Sequence, residues 1–171
     1  MKYAKNAVAW VLIGTPGSGK STWTRDYQTV DCIFEGREPA MVLSTDDFIE
    51  ALAAKEGKTY SEIWNNGTYA EAEKQMRQDL QFAMTANKDI IWDQTNLKRT
   101  KRMQIVSDLN AFFYEVRAVV FTCDWETTVA RAEARKATGK IIPLSIIENM
   151  RNVMDPVAAD EGFDEIIEIR T

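Results

Sequence analysis

The chain has 171 residues, 21 of them basic, 26 acidic and none histidine, which suffices for one α/β domain with a full core and not for two of ordinary size. Without histidine, Ser-His-Asp and Cys-His nucleophile systems, His-ligated zinc and a histidine pH switch are excluded, so proton transfer falls to a carboxylate, a lysine, a tyrosine or water. The net charge of −5 excludes a uniformly basic nucleic-acid coat.

Short β-branched or aromatic runs alternate with longer helical stretches, the pattern of βαβ units on a mostly parallel sheet. In chain order the pattern predicts a strand at 7–13, a helix at 19–27, a strand at 40–43, helices at 46–55 and 69–86, and a strand at 89–92. A helix at 98–109, a strand at 116–121, helices at 125–137 and 144–153 and a strand at 165–169 complete it. Ser44 with Asp47 and Thr68 with Glu71 have capping-box spacing, and Asp124 precedes its helix as a cap. No linker or low-complexity tract interrupts this order, so residues 1–171 read as a single domain.

Cys32 and Cys123 make no CxxC pair, which argues against a disulfide framework and fits a reducing compartment. The longest apolar run, Ala7 to Ile13, is far short of the roughly 20 residues a membrane span needs. The first residues lack the features of a signal peptide. The expectation is a cytoplasmic protein with no membrane partner.

The strongest motif is Gly14-Thr15-Pro16-Gly17-Ser18-Gly19-Lys20-Ser21, a full match to G-x-x-x-x-G-K-[ST] between a predicted strand and a predicted helix. Glycines let backbone N–H groups turn inward around an anion, and the next helix points its positive end at it. Lys20 is placed to reach the β and γ phosphates of a nucleotide, and the Ser21 hydroxyl to ligate Mg²⁺.

Carboxylates follow two of the strands, where ligands bind in an open parallel sheet. Asp46 and Asp47 follow Ser44 and Thr45. Thr45, Asp46 and Asp47 are candidates to touch the substrate; Asp47 also stands at the capping position, and Asp46 is the candidate base that a hydroxyl acceptor needs in a chain without histidine. Phosphoryl transfer asks such a base mainly for positioning. Asp93 ends the third strand as a Walker B-like acid that contacts either Mg²⁺ or substrate, and Gln94, Thr95 and Asn96 add polar groups beside it.

Arg131 and Arg135 share one helical face and have no acid three or four positions away, so an anion such as a triphosphate would relieve their repulsion. With residues 136–140 beyond them, the segment reads as a lid over ATP. Residues 1–94 hold 10 basic and 14 acidic residues, 95–140 hold 9 and 5, and 141–171 hold 2 and 7, giving −4, +4 and −5. The basic block contains Lys98, Arg99, Lys101 and Arg102, which have the composition of a strip along a nucleic-acid backbone. Trp23, Trp64, Trp92 and Trp125 read as core or edge packing.

From about residue 8 to residue 150 the chain resembles a phage-type polynucleotide kinase of the P-loop kinase superfamily. The likeness rests on the residues from Gly14 to Ser21 with Thr22 and Trp23, on Asp46-Asp47, on Asp93-Gln94-Thr95-Asn96-Leu97, and on Trp125 through Arg131, Arg135 and Pro143. It implies a three-layer fold with a mostly parallel five-stranded sheet and a helical lid, with ATP and Mg²⁺ as cofactors and nucleic acid, foremost DNA, as partner. It further implies that Lys20 and Ser21 bind phosphate and Mg²⁺, that Asp46 is the general base, that Arg135 stabilises the transferring group and that Arg131 lies near the nucleotide. The family typically has arginine just before the paired aspartates and again two residues after them, where this chain has Thr45 and Ile49. The length also leaves no room for the phosphatase domain that often accompanies such kinases. The acceptor stays open between a 5′-hydroxyl end and the hydroxymethyl group of a modified pyrimidine such as 5-hydroxymethyluracil in phage DNA. A small-molecule kinase and an ATP-gated binding module are the alternatives.

Overall fold

The computed structural model describes residues 7–137 and 139–171. The first six residues, on which the leader reading falls, and Thr138, within the expected lid edge, lie outside the described residues. Strand β1 (Val8–Ile13) leads through the glycine-rich loop into α1 (Lys20–Asp26), a π-helical turn at Tyr27–Asp31 and α2 (Cys32–Phe34). Then come β2 (Met41–Leu43), α3 (Thr45–Glu56), α4 (Tyr60–Asn65), α5 (Tyr69–Thr85), β3 (Ile90–Trp92) and α6 (Arg99–Asn110). The chain closes with β4 (Glu115–Thr122), α7 (Trp125–Lys136), α8 (Leu144–Asn152), a 3₁₀ turn at Ala159–Glu161 and β5 (Glu165–Arg170).

The five strands are all parallel, in the order β2-β3-β1-β4-β5. Every residue of β1 is buried, which explains its unbroken apolar sequence: the central strand of a parallel sheet has no wet face. Ala9, Val11 and Ile13 face Met76 and Ala83 of α5 and Ile105, Val106 and Leu109 of α6. Val8, Trp10 and Leu12 face Trp23, Tyr27 and Cys32 on the other side. This makes three layers, a P-loop kinase-like α/β fold. A smaller core of Ile49, Ala53, Ile63 and Ala72 ties α3, α4 and α5 together.

Pairing of Leu43 and Val11 with Trp92 brings the carboxyl ends of β1, β2 and β3 to one edge. Gly14, Ser44 and Asp93 each follow one of those ends. Two backbone bonds lock the edge: Gly14 N donates to Thr95 O (3.0 Å) and Asp93 N to Leu43 O (2.9 Å).

Three expectations are corrected. Helix α4 was not anticipated, although Thr59 and Glu62 form its complete capping box and stand in the sequence at the required spacing. Thr68 and Glu71 form no such box: Thr68 already has helical dihedrals, and its hydroxyl donates to Ile63 O (3.0 Å) across the preceding turn. The helix expected to end at Tyr27 runs through the π turn as far as Phe34. Ser44 and Asp124 do act as caps, accepting from Asp47 N (3.1 Å) and Thr127 N (2.7 Å). Among the described residues, no helix is long and apolar enough to cross a membrane, and Cys32 and Cys123 are free thiols.

Candidate active site

The glycine-rich loop has the backbone shape its sequence requires. A Cβ on Gly14 would lie 2.6 Å from Ser18 Oγ and 3.1 Å from Phe121 O, so only glycine fits there. Gly19 caps α1 at φ 102°, a left-handed conformation that other residues rarely adopt. The N–H groups at the head of α1 have no carbonyl behind them within the helix, which is the arrangement that suits an anion such as phosphate. The Ser18 hydroxyl is buried beneath the loop without a protein partner. Lys20 Nζ donates to the carbonyls of Gly14 (2.8 Å) and Thr15 (2.9 Å), which holds its ammonium at the loop mouth.

A cavity of about 820 Å³ opens at this edge. Pro16, Gly17, Lys20 and Ser21 line it from the loop. Thr45, Asp46 and Asp47 come from the head of α3, Asp93, Gln94 and Thr95 from the end of β3, and Arg135 from α7. Other members of the motif brace the site without lining it. Arg131, expected near the nucleotide, donates through Nη1 to Gly17 O (2.9 Å) and Thr171 Oγ1 (2.9 Å), and so clamps the loop to the end of β5. Asn96 is 1% exposed, and its Nδ2 donates to Leu12 O (2.8 Å), so it ties two strand ends together and presents nothing to a substrate. Thr22 is exposed on α1 beyond the cavity.

Asp46 has two partners that sequence reasoning did not assign to it. Tyr60 Oη donates to Oδ1 (2.8 Å) and Lys140 Nζ to Oδ2 (2.7 Å), and the same ammonium reaches Glu50 Oε1 (2.9 Å). Each carboxylate oxygen keeps a further lone pair for an acceptor hydroxyl. Tyr60 went unnoticed with α4 itself. From sequence Lys140 is only the last residue of the lid edge at 136–140, because its partner lies 94 positions away. The strap carrying Lys140 is fastened to α4: Ser61 Oγ donates to Gly139 O (3.1 Å) and accepts from Ile141 N (3.2 Å).

Burial dominates the site's electrostatics. It pulls Lys20 down to about 8, with Arg135 and Lys140 acting in the same sense and Asp93 and Asp46 opposing. It also pushes Asp93 up to about 6, against the pull of Lys20. Asp93 is therefore ionised above about pH 6 and Lys20 charged below about pH 8. If the two charges together hold a metal nucleotide, kcat/KM for that nucleotide is expected to be bell-shaped with limbs near those values. A rate profile at constant ionic strength tests this, and no fall across pH 8 would contradict it.

The basic block of the sequence does not form a free positive strip. Arg102 is fully buried, and its Nε and Nη2 each lie 2.7 Å from Glu161. Arg99 pairs with Asp160 (2.7 Å), Lys98 with Asp155 (3.6 Å) and Lys136 with Glu133 (2.7 Å). Lys101 donates to Gln94 Oε1 (2.8 Å). The acidic tail thus pairs with Lys98, Arg99 and Arg102, while Lys101 meets a neutral amide. At the two positions where a phage-type kinase has arginine, Ile49 is 0% exposed in the small core of α3, α4 and α5, and Thr45, 5% exposed, stands in the cavity wall.

Comparison with known proteins agrees with this architecture. The family model described as AAA domain matches residues 10–157. A protein from Chloroflexus aurantiacus j-10-fl, provisionally assigned as a kinase, is 15% identical over 99% of this chain and 87% of its own, with a TM-score of 0.68. A chain of the Pnkp1/Rnl/Hen1 RNA repair complex is 21% identical over 90% of this chain and 45% of its own, with a TM-score of 0.61. A chain of the AvrRxo1-ORF1:-ORF2 complex with ATP is 11% identical over 87% and 47%, with a TM-score of 0.65. The present chain spans less than half the length of the last two, and at these identities the likeness is one of fold.

Proposed function

The chain belongs to the AAA domain family and has its P-loop kinase-like fold, and on that premise we propose that it is an ATP-dependent kinase that transfers the γ-phosphate to a hydroxyl group on nucleic acid. The observation that carries this reading is the placement of Asp46 and Lys20 in one cavity, close enough for each charge to act on the other.

Lys20 and the N–H groups at the head of α1 hold the polyphosphate. Asp46, fixed by Tyr60 and Lys140, accepts a hydrogen bond from the acceptor hydroxyl and takes its proton as the new O–P bond forms. The bond between the γ-phosphorus and the bridging oxygen breaks, and its electron pair leaves with ADP. Arg135, which lines the cavity from α7, offsets the charge of the group in transit. Ser21 and Asp93 would hold Mg²⁺. One hydroxyl and one carboxylate suit an ion that keeps most of its waters, and among the described residues no cluster of three or more acidic, cysteine or histidine side chains offers a fuller cage. When bound, the ion neutralises phosphate charge.

The acceptor is the 5′-hydroxyl of a polynucleotide or the hydroxymethyl group of a modified pyrimidine, and the aromatic side chains beside Asp46 support a base-bearing acceptor. A second reading, a kinase of free nucleosides or sugars, is favoured by the neutralised basic strip. γ-Labelled ATP with 5′-hydroxyl DNA, 5′-hydroxyl RNA, DNA containing 5-hydroxymethyluracil and free nucleosides separates them. Label on an oligonucleotide, with an acceptor KM that rises with salt, is expected; label on free nucleosides alone, without salt dependence, would overturn the nucleic-acid acceptor.

A further inference from the structure

We propose that the wall formed by Tyr60, Trp64 and Tyr69 beside Asp46 is a ring subsite, which stacks the nucleobase that carries or adjoins the acceptor hydroxyl. This rests on the kinase reading and adds the part of the acceptor that is recognised.

All three residues line the cavity that contains Lys20 and Asp46. The rings of Tyr60 and Trp64 are stacked, with centroids 5.9 Å apart and 19° between planes, and Tyr69 meets Trp64 edge-on at 5.1 Å and 63°. Trp64 keeps 42% of its surface exposed, so it packs at an edge and not in the core. An indole held by two other rings and left open toward a cavity offers a preformed flat face at little entropic cost. Ile142, Ile146 and Met150 line the same cavity from the strap and α8 and add apolar surface to the slot that the rings line.

Tyr60 joins the slot to the chemistry, since its hydroxyl donates to Asp46 while its ring stacks on Trp64. A hydroxyl seated at Asp46 therefore has the ring that bears or adjoins it within reach of this wall. Lys140 Nζ stands 4.5 Å from the Tyr60 centroid, a cation–π contact that helps fix the phenol. Asp46, Asp47, Glu50 and Asp93 line the cavity together with Lys20, Lys101, Arg135 and Lys140, and Glu50 is paired with Lys140, so the charged groups are offset and the uncharged ring wall is the part of the cavity suited to a neutral base. A base inside a duplex would have to leave the stack to get there.

Fluorescein-labelled single-stranded oligodeoxynucleotides test this in three forms: one ending in a 5′-hydroxyl nucleotide, one carrying 5-hydroxymethyluracil, and one abasic at the corresponding position. Trp64→Ala is expected to weaken Kd for a base-bearing form about tenfold, as loss of one stacking partner does, and to leave the abasic form within about twofold. Trp64→Phe should retain most of the affinity. Trp64→Leu, which keeps apolar bulk and loses the flat face, should behave as Trp64→Ala and guards against a folding defect. An effect confined to the 5-hydroxymethyluracil form means that the ring carries the hydroxyl; one confined to the 5′-hydroxyl form means that it adjoins it. Equal weakening of base-bearing and abasic forms, or none of either, would overturn the subsite. A parent protein that binds through Trp64 but labels no acceptor from γ-labelled ATP would overturn the kinase reading and leave the subsite standing.

Discussion

Replacing Asp46 by asparagine is expected to lower kcat by about 10²–10³ while leaving the KM for ATP within about twofold. The residue is the carboxylate beside which an acceptor hydroxyl would sit, and no histidine exists to take its place. General-base catalysis contributes about 10²–10⁴, and the lower part of that range fits a loose transition state that makes little demand on the base. Structural damage should be slight. Asp46 is half-exposed, the amide oxygen can still accept from Tyr60, and Lys140 keeps Glu50. Lys20, the loop and Arg135 are untouched, so nucleotide binding persists. Single-turnover transfer and calorimetric ATP binding check the two halves, and near-parental turnover would remove Asp46 from the role of base.

Glu161→Gln should cause the largest loss of stability. Arg102 and Glu161 are both 0% exposed and joined by two bonds of 2.7 Å. The remaining N–H groups of the guanidinium reach the carbonyls of Asn96, Leu97 and Pro156, which accounts for its whole donor set. Removing the carboxylate charge leaves a buried cation facing neutral dipoles, at a cost of about 3 kcal/mol or more, so the melting temperature should fall by about 10 °C. Arg99→Gln breaks a pair whose Asp160 partner is 72% exposed, and it should move the midpoint by no more than about 1 °C. Comparable shifts for the two variants would contradict the buried-pair argument. Replacing both members by Met and Leu should recover only part of the loss, because three backbone carbonyls would then have no donor.

The features legible in the sequence were those made by neighbouring residues. The loop from Gly14 to Ser21 is one such feature: its glycines, its lysine and the helix that follows act within a few positions of one another. The apolar run of β1 and the caps at Ser44 and Asp124 are equally local. At Thr68 the capping spacing is present but the residue is already helical and its hydroxyl donates to Ile63 O, and at α4 the complete box from Thr59 to Glu62 heads a helix of only six residues, too short for a clear apolar period.

Pairing between distant elements was not legible. From sequence, Lys98 to Arg102 form a cationic run, Lys140 is one more positive charge and Trp64 a packing residue. The β2-β3-β1-β4-β5 order and the crossing helices set Arg102 against Glu161, Lys140 against Asp46 and Trp64 at the edge of a cavity. The sequence by itself determined that a phosphate-binding loop sits on a parallel sheet with carboxylates after its strands, because backbone conformation and strand burial depend on short-range residue type. Only the tertiary structure decided which charges are neutralised and which side chains share the site. Coulombic partners and ring contacts depend on distances through space, and those are set by how the layers pack.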